Sequence, residues 1–159
     1  MKITLFHKRG YPWQVIKKIS KNINTDFCIY TGDDDYLIPS TLEKIISKLK
    51  KNKSYFGYCG ESLIYSTKKN KFLFKNLSEY RQKKYDNSKI LNRVSSLVND
   101  YTVPHFSVVR TSILKDLINF IPLEDKLCPN RSFSDEYLVS LMFLANGKIG
   151  KTNDLLLIR

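Results

Sequence analysis

The chain has 159 residues, of which 42% are hydrophobic and 13% aromatic, and it carries a formal net charge of +12. This length and apolar content predict one folded domain over residues 1–159 and exclude a disordered chain. No apolar run approaches the roughly 18 residues of a membrane span, and the opening apolar stretch is too short for a signal peptide, so we expect a cytoplasmic protein.

The first third of the chain alternates strand-like and helix-like segments. A short strand is predicted at Lys2–Phe6, and apolar residues at helical spacing predict a helix over Pro12–Ile23. An apolar run predicts a buried strand over Asp26–Tyr30. The next helix is predicted over Pro39–Asn52, and its S-x-x-E pattern starting at Ser40 has the spacing of a capping box.

The alternation continues to the end of the chain and predicts an α/β fold with a mostly parallel sheet. In such sheets ligands bind where strands end, and three aspartates follow the strand predicted at Asp26–Tyr30. The later elements are predicted as strands with turns at Gly57, Gly60 and Lys68–Asn70, a helix over Ser88–Tyr101, a strand over His105–Arg110, helices over Thr111–Phe120 and Ser134–Asn146, and a strand over Asp154–Arg159.

The positive charge is concentrated between Lys44 and Arg93, where only Glu61, Glu79 and Asp86 are acidic. A surface of this kind attracts phosphates, which belong to nucleic acids, anionic lipids or nucleotide-linked substrates. The alternative is a solvated lysine face without a ligand. Nucleic acid is the least favoured partner, because the lysines belong to no recognisable DNA- or RNA-binding motif.

The acidic triplet Asp33-Asp34-Asp35 is unusual in so basic a chain. Adjacent carboxylates repel one another, and we expect a positive charge beside them. Hard oxygen ligands favour Mg²⁺ or Mn²⁺, and those ions bind phosphates. The alternative is an acidic surface turn before the next helix.

Three segments together resemble the nucleotide-sugar glycosyltransferases of the glycosyltransferase-A fold, family-two type, in the bacterial subgroup with a DDDF-like motif. These segments are "YTGDDDYLIPSTLEKIISKL", "TVPHFSVVRTSILKD" and "SDEYLVSLMFLANGKIGKTNDLLLIR". The resemblance implies a Rossmann-like α/β fold with a mixed, mostly parallel sheet flanked by helices. It also implies that the chain is shortened at its start and lacks the family's first nucleotide-binding strand.

The resemblance assigns roles to the acidic residues. Asp33 and Asp35 match the positions that hold Mn²⁺ or Mg²⁺, with Asp35 as the direct ligand, and Asp33 and Asp34 would bind the sugar nucleotide. Glu136 matches the general base of inverting members, with Asp135 as its neighbour. The implied reaction is metal-dependent transfer of a sugar from a nucleoside-diphosphate donor to a saccharide or lipid-linked acceptor, at the inner membrane face or free in the cytoplasm.

Two other functions stay open. The shortened start favours a non-catalytic binding module of the same fold, and the charge alone favours a basic nucleic-acid-binding protein. His105 could hydrogen-bond a hydroxyl or phosphate, and Arg110 and Arg159, which end predicted strands, could reach a phosphate. A lone histidine beside a strand more often has a structural role, and surface ion pairs explain the two arginines at least as well.

Overall fold

A computed structural model describes residues 12–65, 77–120 and 131–159, with the side chains of 12–14 and 131–135 left out. The helices are α1 Pro12–Ser20, α2 Pro39–Lys51, α3 Ile90–Asn99, α4 Thr111–Phe120 and α5 Arg131–Asn146. The strands are β1 Phe27–Cys28, β2 Tyr36–Leu37, β3 Tyr55–Tyr65, β4 Leu77–Glu79, β5 Val108–Arg110 and β6 Lys148–Ile158. A 3-10 turn at Pro104–Phe106 precedes β5.

The strands form one mixed sheet in the order β1-β5-β3-β6-β2, and β4 pairs with the C-terminal end of β3. The long central pair β3–β6 is parallel, whereas the other four described pairs are antiparallel. An α/β fold is therefore confirmed, but a mostly parallel sheet is not. Helices α3, α4 and α5 lie between β3 and β6 in sequence and provide the long crossover that a parallel pair requires.

Two apolar clusters cover the two faces of this sheet. Successive residues of a strand point to opposite faces, and Val108 belongs to one cluster while Val109 belongs to the other. The first cluster includes Ile45 and Leu49 of α2. The second collects the buried faces of the later helices, with Leu97, Ile118 and Leu144 fully buried. Helix α2 therefore packs on one face of the sheet, and α3, α4 and α5 pack on the other.

All five predicted helices are present; α4 has the predicted bounds, and the other four have changed ends. The helix predicted over Pro12–Ile23 ends at Ser20, and the one predicted from Ser134 begins at Arg131. The capping box at Ser40 is wrong. The N-cap residue is Ile38, without a side-chain cap, and Ser40 lies inside the first turn. Pro39 takes the first helical position, which its fixed φ angle and missing N–H suit well.

The turns predicted at Gly57 and Gly60 are wrong, because both glycines lie inside β3. A Cβ atom at Gly57 would lie 2.8 Å from the carbonyl oxygen of Val108, and one at Gly60 would lie 2.5 Å from the Cβ of Leu156. These glycines let the neighbouring strands approach closely. The strand at Lys2–Phe6 and the turn at Lys68–Asn70 fall outside the described residues.

Candidate functional site

The acidic turn lies at the end of the sheet where β1 and β6 finish. Strand β1 leads into Tyr30 and the aspartates, and β2, just after them, pairs with the last residues of β6. Strand β5 runs antiparallel to β1, so the 3-10 turn before β5 comes to the same end. The ring of Tyr30 stacks on that of Phe106 with a centroid distance of 6.2 Å and an interplanar angle of 8°.

Asp35 forms a buried ion pair with Arg159. Its Oδ1 accepts a hydrogen bond from Arg159 Nε at 3.1 Å, and its Oδ2 accepts one from the backbone N–H of Gly32 at 2.7 Å. The Asp35 side chain has no exposed surface, while that of Arg159 is 34% exposed. The positive charge expected beside the triplet is therefore supplied by the chain itself, by a residue 124 positions away in sequence.

Aromatic rings hold the guanidinium of Arg159 in place. Its Cζ lies 4.5 Å from the ring centre of Phe106 and 5.3 Å from that of Tyr80. Arg159 Nη1 also donates to the Tyr80 hydroxyl at 3.3 Å. A cation between ring faces is attracted by their quadrupoles, and the effect strengthens where water is excluded. Contacts with Phe106, Tyr80 and Asp35 therefore hold the Arg159 guanidinium in place, and Arg159 in turn orients the Asp35 carboxylate.

The other two aspartates face the solvent. Asp33 and Asp34 are both exposed. A Cβ atom at Gly32 would lie 2.7 Å from Asp34 Oδ1 and 3.2 Å from Asp35 Oδ2. A side chain at residue 32 would displace the Asp34 carboxylate and crowd that of Asp35. The triplet is divided into one buried structural carboxylate and two accessible ones.

Glu136 lies close to this group of residues. It is exposed, in the second turn of α5. Burial is the main cause of the raised pKa of Tyr30 and Tyr80, and the negative charges of Glu136 and Asp35 raise it further. Both carboxylates therefore act electrostatically on the same two phenols. The side chain of Asp135 falls outside the described part of α5.

Sequence reasoning missed the aromatic residues that join these acids. Tyr30 and Tyr80 both pack on Phe106, and the guanidinium of Arg159, the partner of Asp35, lies over the same Phe106 ring. Tyr101 extends the group, because its ring lies 5.7 Å from that of Tyr137 and the charge of Glu136 adds to the effect of burial in raising its pKa. Aromatic content alone does not distinguish rings that lie beside a charged site from rings of the apolar core.

His105 is a buried component beneath the site. It is 2% exposed, and its Nδ1 lies 3.4 Å from Ser140 Oγ. Its ring also packs on Phe106 at 4.5 Å. Burial, and to a lesser extent the positive charge of Arg159, lower the pKa of His105 to about 3. His105 is therefore neutral near pH 7 and supports Phe106 from below.

This lowered pKa predicts a loss of stability in acid. The unfolded chain protonates His105 below its ordinary pKa of 6.5, but the folded chain does so only near 3. The unfolded state binds more protons in that window, so the free energy of unfolding falls as the pH falls. Between pH 7 and pH 5 this one group should remove about 2 kcal/mol.

Urea denaturation of wild type and His105→Gln at pH 7 and pH 5 measures this effect. The glutamine does not titrate, so its free energy of unfolding should change less between the two pH values. Equal changes in the two proteins would show that His105 does not carry the acid sensitivity.

Arg110 lies away from this site, at the opposite end of β5. Its guanidinium donates to the carbonyl oxygens of Tyr55, Leu49 and Asn52 at 3.0, 2.6 and 3.1 Å. The last carbonyls of a helix have no partner within the helix, and a cation there is favourable. Arg110 therefore caps the C-terminal end of α2, and only Arg159 joins the acidic turn.

The three aspartates are not equally suited to a metal ion. Within 12–65, 77–120 and 131–159, no group of three or more His, Cys, Asp or Glu side chains is arranged to hold one. Both oxygens of Asp35 already accept hydrogen bonds, and its carboxylate is inaccessible. The exposed carboxylates of Asp33 and Asp34 do fit Mg²⁺ or Mn²⁺, which often bind through one or two protein carboxylates and complete their shell with phosphate oxygens and water.

No protein-family model matches this sequence, and no curated protein is significantly similar to it. Among the described helices, none is both long enough and apolar enough to cross a membrane.

Proposed function

We propose that this chain binds a nucleoside-diphosphate sugar at the acidic turn and transfers the sugar to a hydroxyl of a saccharide or lipid-linked acceptor. One observation carries the proposal: Arg159 donates to Asp35 of the acidic turn at 3.1 Å, and its guanidinium lies 4.5 Å from the ring centre of Phe106. Asp35, Phe106 and Arg159 belong to three distant segments of the chain. The glycosyltransferase resemblance rests on these same three segments of the sequence.

Glu136 has the properties of the general base in this proposal. Its exposed carboxylate can approach an acceptor hydroxyl from solvent. It takes the proton of that hydroxyl while the oxygen attacks the anomeric carbon, and the bond from that carbon to the nucleoside diphosphate breaks. Tyr30 and Tyr80 are half-buried beside it, so their rings offer faces on which a sugar or a base can pack.

The two accessible aspartates would bind the diphosphate of the sugar nucleotide through a metal ion. Asp33 and Asp34 would bind Mn²⁺ or Mg²⁺, which stabilises the negative charge of a departing diphosphate. Asp35 then has a positioning role, because its bonds to Gly32 and Arg159 fix the turn that carries the other two. This differs from the role that the resemblance assigned to Asp35, the direct metal ligand.

The burial of Asp35 favours one alternative function. Arg159 already compensates its charge, so the acidic turn needs no cation to be stable. A binding module of the same fold, without turnover, would use the same residues for ligand contact. Nucleotide binding without release of nucleoside diphosphate would distinguish this module from the enzyme.

Titration calorimetry with UDP, GDP and dTDP, with and without Mn²⁺, tests the donor site. We expect binding of at least one nucleotide that requires Mn²⁺. The double variant Asp33→Asn/Asp34→Asn should weaken it at least about tenfold, because two charged ligands of the ion are lost. The asparagines keep the size of the side chains, and Asp35 with its ion pair stays unchanged.

The matched control is Glu43→Gln/Asp116→Asn, which removes two exposed carboxylates from α2 and α4. It should bind as wild type does, since neither residue touches the acidic turn. Absence of nucleotide binding under all these conditions, or the same loss in both double variants, would contradict the proposal.

A further inference from the structure

A basic cavity lies at the end of the sheet opposite to the acidic turn. It has a volume of about 670 Å³ and is lined by residues before and at the start of β1, by the loop after α2, and by the first turn of α4. Phe27, at the start of β1, pairs with Arg110, at the end of β5. The acidic turn follows the other end of β1. The two sites are therefore separated by the length of the strands.

Positive charge dominates the lining of this cavity. Lys50, Lys53, Lys115 and Arg110 contribute four cations, against one acid, Asp26. The three lysines form no ion pair with an acid among the described residues. The guanidinium of Arg110 is bonded to carbonyl oxygens and to no described carboxylate, so its charge is not neutralised. Unpaired cations around one concave space attract an anion.

Hydroxyl groups of α4 complete the lining. Thr111 is 4% exposed, and its Oγ1 is inaccessible to solvent. It lies close enough to the Cys28 thiol to lower the pKa of that group, which burial otherwise raises. Ser112 is exposed next to it. The Thr111 hydroxyl is therefore buried against Cys28, and Ser112 provides the hydroxyl that an anion in the cavity can reach. The first turn of α4 adds backbone N–H groups and a favourable dipole.

We propose that this cavity binds a phosphate group, as a phosphomonoester or a diphosphate. Lysines, an arginine, hydroxyls and a helix N-terminus are the donors that phosphate oxygens accept from in proteins. The volume admits a phosphorylated headgroup or a small soluble phosphate. This site does not depend on the proposed glycosyl transfer, because it shares no residue with the acidic turn.

Titration with pyrophosphate in the presence of EDTA tests the site without contribution from a metal. We expect saturable binding to the wild-type chain. Lys53→Ala/Lys115→Ala should weaken it about tenfold or more, because each lysine supplies a charge-assisted contact. Lys18→Ala/Lys89→Ala removes two exposed lysines elsewhere and should leave the affinity within about twofold, the effect expected from net charge alone. Ser112→Ala should also weaken binding, because it removes the exposed hydroxyl of the lining.

Sedimentation with vesicles of phosphatidylcholine, with and without phosphatidylglycerol, identifies the source of the phosphate. Binding to the anionic vesicles that pyrophosphate competes away and that requires Lys53 and Lys115 would assign the cavity to a lipid headgroup. Pyrophosphate binding without vesicle binding would assign it to a soluble phosphate. The proposal is overturned if pyrophosphate does not saturate, if both lysine pairs have equal effects, or if only single-stranded DNA binds. Asp33→Asn/Asp34→Asn should leave pyrophosphate binding unchanged, which separates this result from that at the acidic turn.

Discussion

Replacement of Arg159 by leucine is expected to lower the free energy of unfolding by about 3 kcal/mol, the lower end of the range for breaking a buried ion pair. The leucine leaves the inaccessible Asp35 carboxylate without its positive partner, with only the Gly32 N–H as a described donor. The lower end of that range applies because the Arg159 side chain is 34% exposed. Water can therefore reach the place of the missing guanidinium and partly solvate the Asp35 carboxylate. Urea denaturation at pH 7 measures the change.

Arg81→Leu is the matched control for this prediction. Arg81 makes two hydrogen bonds to Asp100, at 2.9 and 2.6 Å, but its side chain is 62% exposed. Exposed pairs contribute little to stability because water screens them. We therefore expect a much smaller change for Arg81→Leu, in spite of its shorter contacts.

A second variant separates the ion pair from the packing of Arg159 on its aromatic neighbours. Asp35→Asn combined with Arg159→Leu removes the buried charge together with its partner. Much of the stability lost in Arg159→Leu should return, since the main cost of that variant is an uncompensated carboxylate. If the double variant is no more stable than Arg159→Leu, the loss came from the contacts with Phe106 and Tyr80, and the ion pair is not the cause.

The spacing of apolar residues was sufficient to predict the helices, because their apolar residues repeat at the helical period. Helix α4 has the predicted bounds, and α2 differs by one residue at its end. The spacing of apolar residues is a local property, and a helix hydrogen-bonds within its own segment. Strand partners and directions depend on distant segments, so the same patterns could not predict that β1 and β5 run antiparallel. They also misplaced Gly57 and Gly60, because a glycine that permits close packing and one that permits a turn are identical in sequence.

The candidate site was predictable in its location and not in its inner arrangement. A strand that ends in three aspartates indicates a charged site, and repulsion between them requires a nearby cation. The sequence could not decide between a metal ion and a side chain, since the partner that Asp35 has is Arg159. Nor could it separate Asp35 from its neighbours, because burial depends on tertiary packing. Composition predicted a phosphate-binding surface, but the arrangement of Lys53 and Lys115 around one cavity comes from the fold.

Replacement of Glu136 by glutamine is expected to slow sugar transfer by about 10²-fold or more, because the amide cannot accept the acceptor proton. Nucleotide affinity should stay near that of wild type, since the acidic turn and its ion pair are untouched. The rate of nucleoside-diphosphate release from a sugar nucleotide, in the presence of acceptor, measures the effect. Glu43→Gln, an equivalent change at an exposed position of α2, should leave the rate unchanged.

A second measurement on Glu136→Gln does not depend on knowing the acceptor. Burial and the charge of Glu136 both raise the pKa of Tyr30, so loss of the charge should bring that pKa closer to its ordinary value, as followed by ultraviolet titration of the phenol. If the pKa of Tyr30 shifts and transfer does not slow, Glu136 lies beside the site without acting as its base. If Asp135→Asn then abolishes transfer, the base is the preceding residue of α5 and the motif is offset by one position. Slow transfer together with a shifted pKa of Tyr30 would show that the proton acceptor and the Tyr30 ring belong to the same site, as the glycosyl-transfer mechanism requires.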